Sequence, residues 1–197
     1  MRLPAAQRRE QLLEVATSVF AERGFHNTSM NDVAEAAGVT KPVLYQHFTS
    51  KRELFLELLS DVGEQLRSRI AKATADADGP RGQIEAGFAA YFDFMGEHSD
   101  AYKVLFGAGA RRDPEFSSLT RSVEETIAEA IAELIVVDGR PAADRDLIAH
   151  TIVGMTEAAS RYWLTHDREP AIRDLSDAVA NLAWSGMRGI TAGSPTA

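Results

Sequence analysis

The stretch that decides the fold runs from Thr28 to Phe48 and reads TSMNDVAEAAGVTKPVLYQHF. Its periodicity predicts two short helices joined by a tight turn. Ser29 is placed to cap the first helix, and Asp32 lies in the first turn of that helix. Gly38 stands where the first helix ends and a positive φ is wanted. Because proline is tolerated in a helix only in the first turn, Pro42 indicates where the second helix begins.

The second short helix is predicted to have two chemically different sides. Leu44 and Phe48 fall on the side that faces a core. The other side mixes a cation, an amide, a phenol and, at its margin, an imidazole, and its residues are Lys41, Pro42, Val43, Tyr45, Gln46 and His47. Lysine binds guanine acceptors and valine methyls contact the thymine methyl. We therefore expect the base-reading surface to consist of Lys41, Pro42, Val43 and Gln46.

The flanking residues make the pattern more specific. The sequence Ser50-Lys-Arg-Glu53 is a capping box that opens a long helix, predicted over residues 50–74. The run from Ala37 to Phe48, with Ser50 to Leu54 after it and the preceding helix from Gln11 to Gly24, resembles the TetR family of bacterial transcription regulators. The most specific part is the Tyr45-x-x-Phe48 pair followed by Lys51. The matching motifs cover roughly the first third of the chain.

The resemblance implies an all-α regulator with a DNA-binding domain and a ligand-binding domain. The predicted boundaries are 6–66 for the helix-turn-helix domain, with helix 50–74 bridging both domains, and 67–197 for the domain that binds a ligand and dimerises. Repression relieved by a ligand is the usual mode that the resemblance implies. Many relatives carry glycine or alanine at the position of Pro42, so the usual base contacts do not transfer directly.

Further residues are predicted to contact the DNA backbone. The resemblance implies this role for Tyr45 and His47. Lys51 lies in the first turn of a helix, where free amide groups bind phosphate, and is expected to complete that site. Thr28 and Thr40 are expected both to cap helices and to contact phosphate.

The distribution of charge is compatible with a DNA partner although the net charge is −8. Residues 1–52 carry seven Lys and Arg against five Asp and Glu, whereas residues 53–197 carry fourteen against twenty-four. The local field around the first segment matters more for DNA binding than the total charge. The chain has no cysteine, which excludes disulfides and thiolate metal sites and fits a reducing compartment.

No segment of the sequence indicates a membrane or a secretory route. The N-terminus lacks an apolar h-region, and no stretch approaches the roughly 18 apolar residues that a spanning helix needs. We therefore expect a cytoplasmic protein with no membrane partner.

The rest of the chain has helical periodicity throughout, and no segment alternates with a period of two. Residues 76–82, DADGPRG, are predicted to form a loop. The helices predicted after it are 83–97, 100–107, 114–136, 142–166 and 170–189. Together with the N-terminal helices, these segments predict an all-α protein of about nine helices.

Motifs for catalysis, metals and cofactors are absent from the sequence. The run Gly107-Ala-Gly109-Ala-Arg-Arg112 superficially resembles a dinucleotide-binding loop, but Arg112 replaces the third glycine and no strand precedes it. The five histidines show no metal-ligand spacing. We predict no catalytic site, no metal and no cofactor.

Aromatic and soft side chains crowd several of the later helices. They are predicted to line an apolar cavity and comprise Phe88, Tyr91, Phe92, Met95, Tyr102, Phe106, Met155 and Tyr162. Each such residue on its own is more often part of a core. A cavity of this kind prefers a long apolar ligand with a few polar anchors. Glu157 and Arg161 are either one of those anchors or a surface pair of the i,i+4 type.

The nature of the effector follows from a narrower resemblance. The segment from Lys41 to Phe48, with Tyr162-Trp-Leu164 late in the chain, is similar to actinobacterial members linked to lipid metabolism. We therefore expect a fatty acid or an acyl-CoA, with a drug-like aromatic molecule as the alternative. Ligand binding is expected to shift helix 50–74 and so change the spacing of two recognition helices.

The last two predicted helices indicate a homodimer. Small residues that permit close helix approach are Gly154, Ala158, Ala178, Ala183 and Gly186, and the surplus apolar residues are Leu175, Val179, Leu182, Trp184 and Met187. The resemblance implies that two such helices from each subunit form the interface. The operator is then a near-palindrome of double-stranded DNA with half-sites about one helical turn apart.

Two other classes of function remain open from the sequence. One is a DNA-binding protein with a vestigial cavity, which acts architecturally or with a protein partner. The other is a small helical enzyme or carrier whose first helices only imitate the motif. Sequence-specific DNA binding distinguishes the last class from the others, and ligand-dependent release distinguishes a regulator from an architectural protein.

Overall fold

The computed structural model describes residues 4–106, 113–135, 142–166 and 168–191. Within these ranges the chain forms nine helices and no strand, which confirms the predicted all-α class. The helices are α1 Ala5–Asn27, α2 Met30–Ala36, α3 Lys41–Tyr45, α4 Lys51–Ala75, α5 Gly79–Glu97, α6 Ser99–Phe106, α7 Pro114–Leu134, α8 Ala142–Thr165 and α9 Ile172–Thr191. The glycine- and arginine-containing run 107–112 lies outside the described residues.

The first helix carries a buried apolar stripe and packs against α2 and α6. Its buried residues are Leu12, Ala16, Val19 and Phe20. The helix was predicted to stop at Gly24, and the backbone does leave the helical region there, with φ 76° and ψ 161°. It then resumes as far as Asn27, because a kink at a glycine bends the helix without ending it.

Helix α2 begins and ends as the sequence predicts. The Ser29 hydroxyl accepts the Asp32 N–H at 3.2 Å, and the Ser29 N–H donates to Asp32 Oδ2 at 2.7 Å. The Ser29 hydroxyl also donates to Asp32 Oδ2 at 2.6 Å. This bond first, and then the one from the Ser29 N–H, lowers the pKa of the Asp32 carboxyl. At the other end Gly38 adopts φ +64°, a conformation that costs glycine least. The chain can therefore turn sharply into α3.

The described chain divides into two compact units. The first runs as far as Gln65 and also includes His98–Ser122, and the second comprises Leu66–Glu97 and the residues from Val123 onward. The predicted boundaries placed all of 98–122 in the second domain, whereas the described part of this segment groups with the first compact unit. Helix α6 packs against α1 within the first unit. Phe116 of α7 lies with its ring centre 4.8 Å from that of Phe25.

The second unit is held together by α5, α8 and α9. Helix α5 packs against α9 and α8, and α8 packs against α9. A Cβ added at Gly96 would lie 3.5 Å from the Ile172 side chain, an ordinary van der Waals distance, so α5 and α9 are close neighbours at this point. The Trp163 indole N–H donates to the Pro170 carbonyl at 2.7 Å and closes the connection between α8 and α9.

Helix α5 begins at Gly79, four residues before its predicted start. Pro80 then occupies the first turn, where its missing N–H has no helical partner to lose. The prediction of a loop over the whole of 76–82 was wrong for this reason. Among the described helices, none has the length and apolar character needed to cross a membrane.

Candidate nucleic-acid interface

Helix α3 is anchored by two residues that the structure buries completely. Leu44 and Phe48 are both 0% exposed, which confirms the predicted core side of this helix. The Phe48 N–H bonds to the Leu44 carbonyl at 3.1 Å, so helical geometry continues past Tyr45. A helix of this length is unstable alone, and the two buried side chains therefore determine its position and its rotation.

The opposite side of α3 presents most of the predicted DNA-binding residues to solvent. Thr40, Lys41, Pro42, Tyr45 and Gln46 are exposed, whereas Val43 and His47 are half-buried. The Lys41 ammonium lies 5.9 Å from the centre of the Tyr45 ring, within range of a cation–π contact. One short helix and its ends thus bring seven of the predicted residues together on one surface.

The two threonines do not behave as the sequence predicted. Thr40 takes the N-cap position of α3, but its side chain makes no capping hydrogen bond. Thr28 is 3% exposed, and its hydroxyl donates to the Gly24 carbonyl at 2.9 Å. A phosphate contact needs an accessible donor, so the predicted contact through the Thr28 side chain is corrected: this hydroxyl ends α1 instead.

Lys51 has structural partners that the sequence analysis did not identify. Its ammonium donates to the Phe25 carbonyl at 2.7 Å and to the Thr28 carbonyl at 2.8 Å. It also lies 4.3 Å from the centre of the Phe25 ring. Because an ammonium group has three N–H donors, one remains after these two bonds. The predicted phosphate contact of Lys51 stays a prediction, and it depends on that third donor.

The first turn of α4 is fastened to the end of α3 by a capping arrangement. The Glu53 N–H donates to the Ser50 hydroxyl at 3.0 Å, as the predicted capping box requires. The Glu53 carboxylate accepts hydrogen bonds from the Thr49 N–H and hydroxyl. Hydrogen bonds from the Thr49 side chain, then its backbone, lower the pKa of Glu53. Thr49, one residue before Ser50, is thus the main partner of the Glu53 carboxylate.

Arg9 supports the recognition helix from behind, and sequence reasoning missed it. Its guanidinium lies 4.7 Å from the centre of the buried Phe48 ring, and it pairs with Glu57 of α4. These partners are 39 and 48 positions away along the chain. No local pattern connects residues so far apart, so only the cationic run Arg8-Arg9 could have drawn attention to the site.

The residues predicted to line one ligand cavity are distributed over both compact units. Phe88, Tyr91, Phe92 and Met95 are buried in the second unit. Tyr102 and Phe106 belong to the first unit, with ring centres 4.8 Å apart. Met155 is half-buried.

Tyr162 was predicted to line the cavity, but the structure places it at the surface. Its side chain is 54% exposed and stacks on the His166 ring with centres 3.9 Å apart, so it belongs to the surface. On the same helix Arg161 lies 3.7 Å from Glu157, with side chains 59% and 18% exposed respectively. The pair therefore extends from solvent to a mostly buried carboxylate.

The part of the chain that the structure describes contains no group of three or more His, Cys, Asp or Glu side chains arranged to hold a metal ion. The chemistry of the exposed α3 face is instead that of hydrogen-bond donation and anion binding. Its ammonium, amide, hydroxyl and phenol groups match the acceptors of phosphates and major-groove base edges.

Comparison with protein families gives two matches that together span most of the chain. Residues 12–58 match the model described as bacterial regulatory proteins, tetR family. Residues 80–186 match the model described as tetracyclin repressor-like, C-terminal domain. The first match contains α2 and α3 entirely, and the second contains all eight residues predicted to bind a ligand.

Comparison with individual proteins identifies transcriptional regulators. The HTH-type transcriptional activator FasR of Mycolicibacterium smegmatis is 36% identical over 188 residues, covering 94% of this chain and 85% of FasR. The HTH-type transcriptional repressor KstR2 of the same species is 33% identical, covering 80% of each chain. The crystal structure of FadR from Bacillus subtilis in complex with stearoyl-CoA superposes with a TM-score of 0.79 at 18% identity, covering 90% of this chain and 98% of FadR.

Proposed function

Because this chain belongs to the tetR family of bacterial regulatory proteins, we propose that it regulates transcription by reading a specific operator with the exposed face of α3. The observation that carries the proposal is the anchoring of α3. Leu44 and Phe48 are fully buried, and this fixes which side of a five-residue helix faces outward. That side presents donors to DNA in a defined orientation, as base recognition requires.

The proposed contacts divide into base reading and backbone positioning. Lys41 and Gln46 carry the donors that reach base edges, and Pro42 with half-buried Val43 supplies apolar contact between them. Tyr45 and Thr40, both exposed, are assigned to phosphates together with His47 and the remaining donor of Lys51. Phosphate contacts fix the register of the protein on the duplex and carry no sequence information.

We propose that the active species is a homodimer formed through α8 and α9. Leu182 is 63% exposed, and Ala178 and Gly186, one turn to either side of it on α9, are exposed as well. A Cβ added at Gly186 would meet nothing within 4 Å. Small residues beside a protruding leucine favour close approach of another helix.

Helix α8 supports the same dimer. Leu147 is 68% exposed, and Gly154 and Ala158 follow it on the same side of the helix. Of the apolar residues predicted for the interface, Leu175, Val179 and Ala183 are buried within the chain, so they pack inside the second unit. A two-fold dimer places two recognition helices on one side of DNA and accounts for a near-palindromic operator.

The proposed effector is a small apolar molecule, a fatty acid or an acyl-CoA. The support is the apolar character of α5, whose Phe88, Tyr91, Phe92 and Met95 are all buried. The FadR structure contains stearoyl-CoA, but at its identity the likeness extends to the fold alone. The choice of ligand therefore rests on the residues of this chain.

The direction of regulation is proposed as repression that the ligand relieves. FasR is named an activator and KstR2 a repressor, so relatives of both kinds occur. A ligand that shifts α4 and lowers operator affinity needs a coupling free energy of about 1–3 kcal/mol.

The first experiment is to select genomic DNA fragments with the purified protein and to sequence them. The expected result is a shared near-palindrome with half-sites about one helical turn apart. Fragments with no common motif would contradict the proposed function. A scrambled duplex of the same composition serves as the control.

The second experiment titrates acyl-CoAs of increasing chain length into the complex of protein and selected operator, with anisotropy as the readout. Release that strengthens with chain length supports the proposed effector, because each buried methylene adds about 0.8 kcal/mol. Unchanged affinity at every length would favour the ligand-independent DNA-binding alternative instead.

A further inference from the structure

Arg52 follows Lys51 in the first turn of α4 and has no role in the DNA-binding surface described so far. Its guanidinium forms a fork on the Asp113 carboxylate, with Nη1–Oδ2 and Nη2–Oδ1 distances of 2.9 Å each. Its Nε donates to Glu115 Oε2 at 2.7 Å. One arginine of α4 therefore holds two carboxylates at the start of α7, and all three residues lie in the first compact unit.

The α7 side of this cluster is rigidly built. Asp113 Oδ1 also accepts the Glu115 N–H at 3.0 Å and the Phe116 N–H at 3.3 Å, so it caps α7 while it binds Arg52. The Arg52 guanidinium lies 4.7 Å from the centre of the fully buried Phe116 ring. A two-pronged arginine–carboxylate contact fixes geometry as well as distance. Arg52 thus determines where the first turn of α4 lies relative to α7.

The α3 side is equally constrained. The His47 N–H bonds to the Leu44 carbonyl at 3.0 Å, and the Glu53 carboxylate binds the Thr49 N–H at 2.7 Å. These bonds leave the segment between Tyr45 and Arg52 little freedom to absorb a displacement. A shift of the first turn of α4 is therefore passed on to the end of α3.

We propose that Arg52 is a positioning residue for DNA recognition, which sets the orientation of α3 by fastening the first turn of α4 to Asp113 and Glu115. This inference rests on the proposed function. It assigns Arg52 no contact with DNA, although the residue is a cation close to the recognition helix in sequence.

Direct contact and positioning predict opposite effects of a change at Asp113. If electrostatics alone mattered, neutralising a carboxylate near DNA would strengthen binding, because less negative charge would oppose the phosphates. If Arg52 positions α3 through Asp113, neutralising that carboxylate weakens binding. Asn is the suitable replacement, since it also serves as an N-cap and leaves α7 capped.

The test compares Arg52→Gln, Asp113→Asn and the double variant for binding to an operator fragment selected with the wild-type protein, by anisotropy over a range of salt. Each single variant is expected to bind about three- to tenfold more weakly, and the double variant no more weakly than either. The salt dependence is expected to match that of the wild type. Arg81→Gln removes an exposed pair with Glu85 and is the matched control, expected to bind as the wild type does.

Several results would overturn the proposal. In one such result, Asp113→Asn binds DNA as tightly as the wild type or more tightly, while Arg52→Gln binds more weakly and with a flatter salt slope. Arg52 would then be a phosphate contact. Wild-type affinity in both single variants makes the cluster a surface ion pair only. Should Arg52→Gln fail to fold, Arg52→Lys keeps the charge without the fork and must show the loss. If the wild type selected no operator, the proposed function would fail together with this inference, whereas the other outcomes overturn the inference alone.

Discussion

Lys51 shows how strongly the role of one residue depends on partners far away in the chain. Its ammonium returns to the Phe25 carbonyl, 26 positions earlier, and to the Thr28 carbonyl. Carbonyl groups at a helix C-terminus are unsatisfied and carry partial negative charge, so a cation there is stabilising. Lys51 therefore holds the end of α1 against the start of α4, whether or not it also binds DNA.

Replacing Lys51 by methionine tests this structural role. We expect Lys51→Met to lower the free energy of unfolding by about 1–3 kcal/mol, because two hydrogen bonds donated by a charged group are lost. The Phe25 carbonyl is then left with its long 3.4 Å bond from the Thr28 N–H. Urea unfolding of the purified variants measures this. Lys103→Met is the control, since Lys103 forms an exposed pair with Asp100, and its cost is expected to stay within about 0.5 kcal/mol. Equal stability of the wild type and Lys51→Met would contradict the structural role.

The Asp113 carboxylate makes the cluster around Arg52 sensitive to acid. Its hydrogen bonds with Arg52 lower its pKa from 3.8 to about 2. A group whose pKa is depressed in the folded state stabilises the protein above its unfolded pKa and loses that effect as the pH falls towards the folded value. The stabilisation by Asp113 is thus complete near neutrality.

We expect the difference in urea midpoint between the wild type and Asp113→Asn to be constant down to about pH 5 and to shrink as the pH falls to about 2.5. Parallel unfolding series of the two proteins give this difference at each pH. A gap that stayed the same throughout would show that the Asp113 charge contributes nothing to folding.

For single residues, burial and hydrogen bonding can be predicted from the sequence where the partners are close in the chain. The burial of Leu44 and Phe48 and the capping of α2 by Ser29 follow from helical spacing alone. The fork between Arg52 and Asp113 joins residues 61 positions apart. Periodicity carries no information on such pairs, so this part of the site could not be predicted.

The element that presents the DNA-reading face is the pair α2 and α3 with the turn between them. The turn depends on Gly38, whose φ of +64° lies in the left-handed region. The Val39 N–H bonds back to the Ala34 carbonyl at 2.9 Å and so ties the turn to α2. A residue with a Cβ is unfavourable at the positive φ of position 38. Such a residue would therefore favour a different backbone conformation and a different angle between α2 and α3.

Substituting Gly38 tests that dependence. A Cβ at this position would meet nothing within 4 Å, so only backbone strain opposes it. We expect Gly38→Ala to cost about 1–2 kcal/mol of unfolding free energy, and Gly38→Asn to cost less, because asparagine visits the left-handed region more readily. Thermal or urea unfolding distinguishes them. An alanine variant as stable as the asparagine variant would contradict the account of the turn.

Helix limits were predictable from the sequence to within a few residues, but their packing was not. The apolar pattern of α6 predicts a helix but does not indicate which helix it packs against. The structure packs α6 against α1 in the first unit, although the sequence assigned 100–107 to the second domain. Helices α4 and α7 also contribute residues to both units, which no boundary between two continuous segments can describe.

For the whole molecule, the proposed dimer requires that exposed apolar side chains of one chain are covered by the other. The protruding Leu182 and Leu147 are large apolar groups in contact with water unless another chain covers them. A two-fold interface brings each patch against its own copy, so a single substitution acts twice.

Leu182→Glu is expected to convert the dimer into a monomer at micromolar concentration and to weaken operator binding at least tenfold, since the two carboxylates would enter an apolar interface. Sedimentation velocity and anisotropy measure the two effects. Ser68→Glu adds the same charge at an exposed position of α4 and is expected to leave the assembly intact. A wild-type protein that sediments as a monomer and does not assemble on DNA would contradict the proposal.

The measurement that tests the central claim most directly is a titration of wild-type protein and Lys41→Ala against the selected operator and a set of single-base variants of it, at about 150 mM salt. The account predicts that the wild type binds the operator about a thousandfold or more tighter than unrelated DNA. Lys41→Ala should lose about 1–3 kcal/mol and relax preference at one or two base pairs of each half-site. If Lys41→Ala kept both the affinity and the base preferences of the wild type, with Gln46→Ala equally unaffected, the exposed face of α3 would not be the surface that reads DNA.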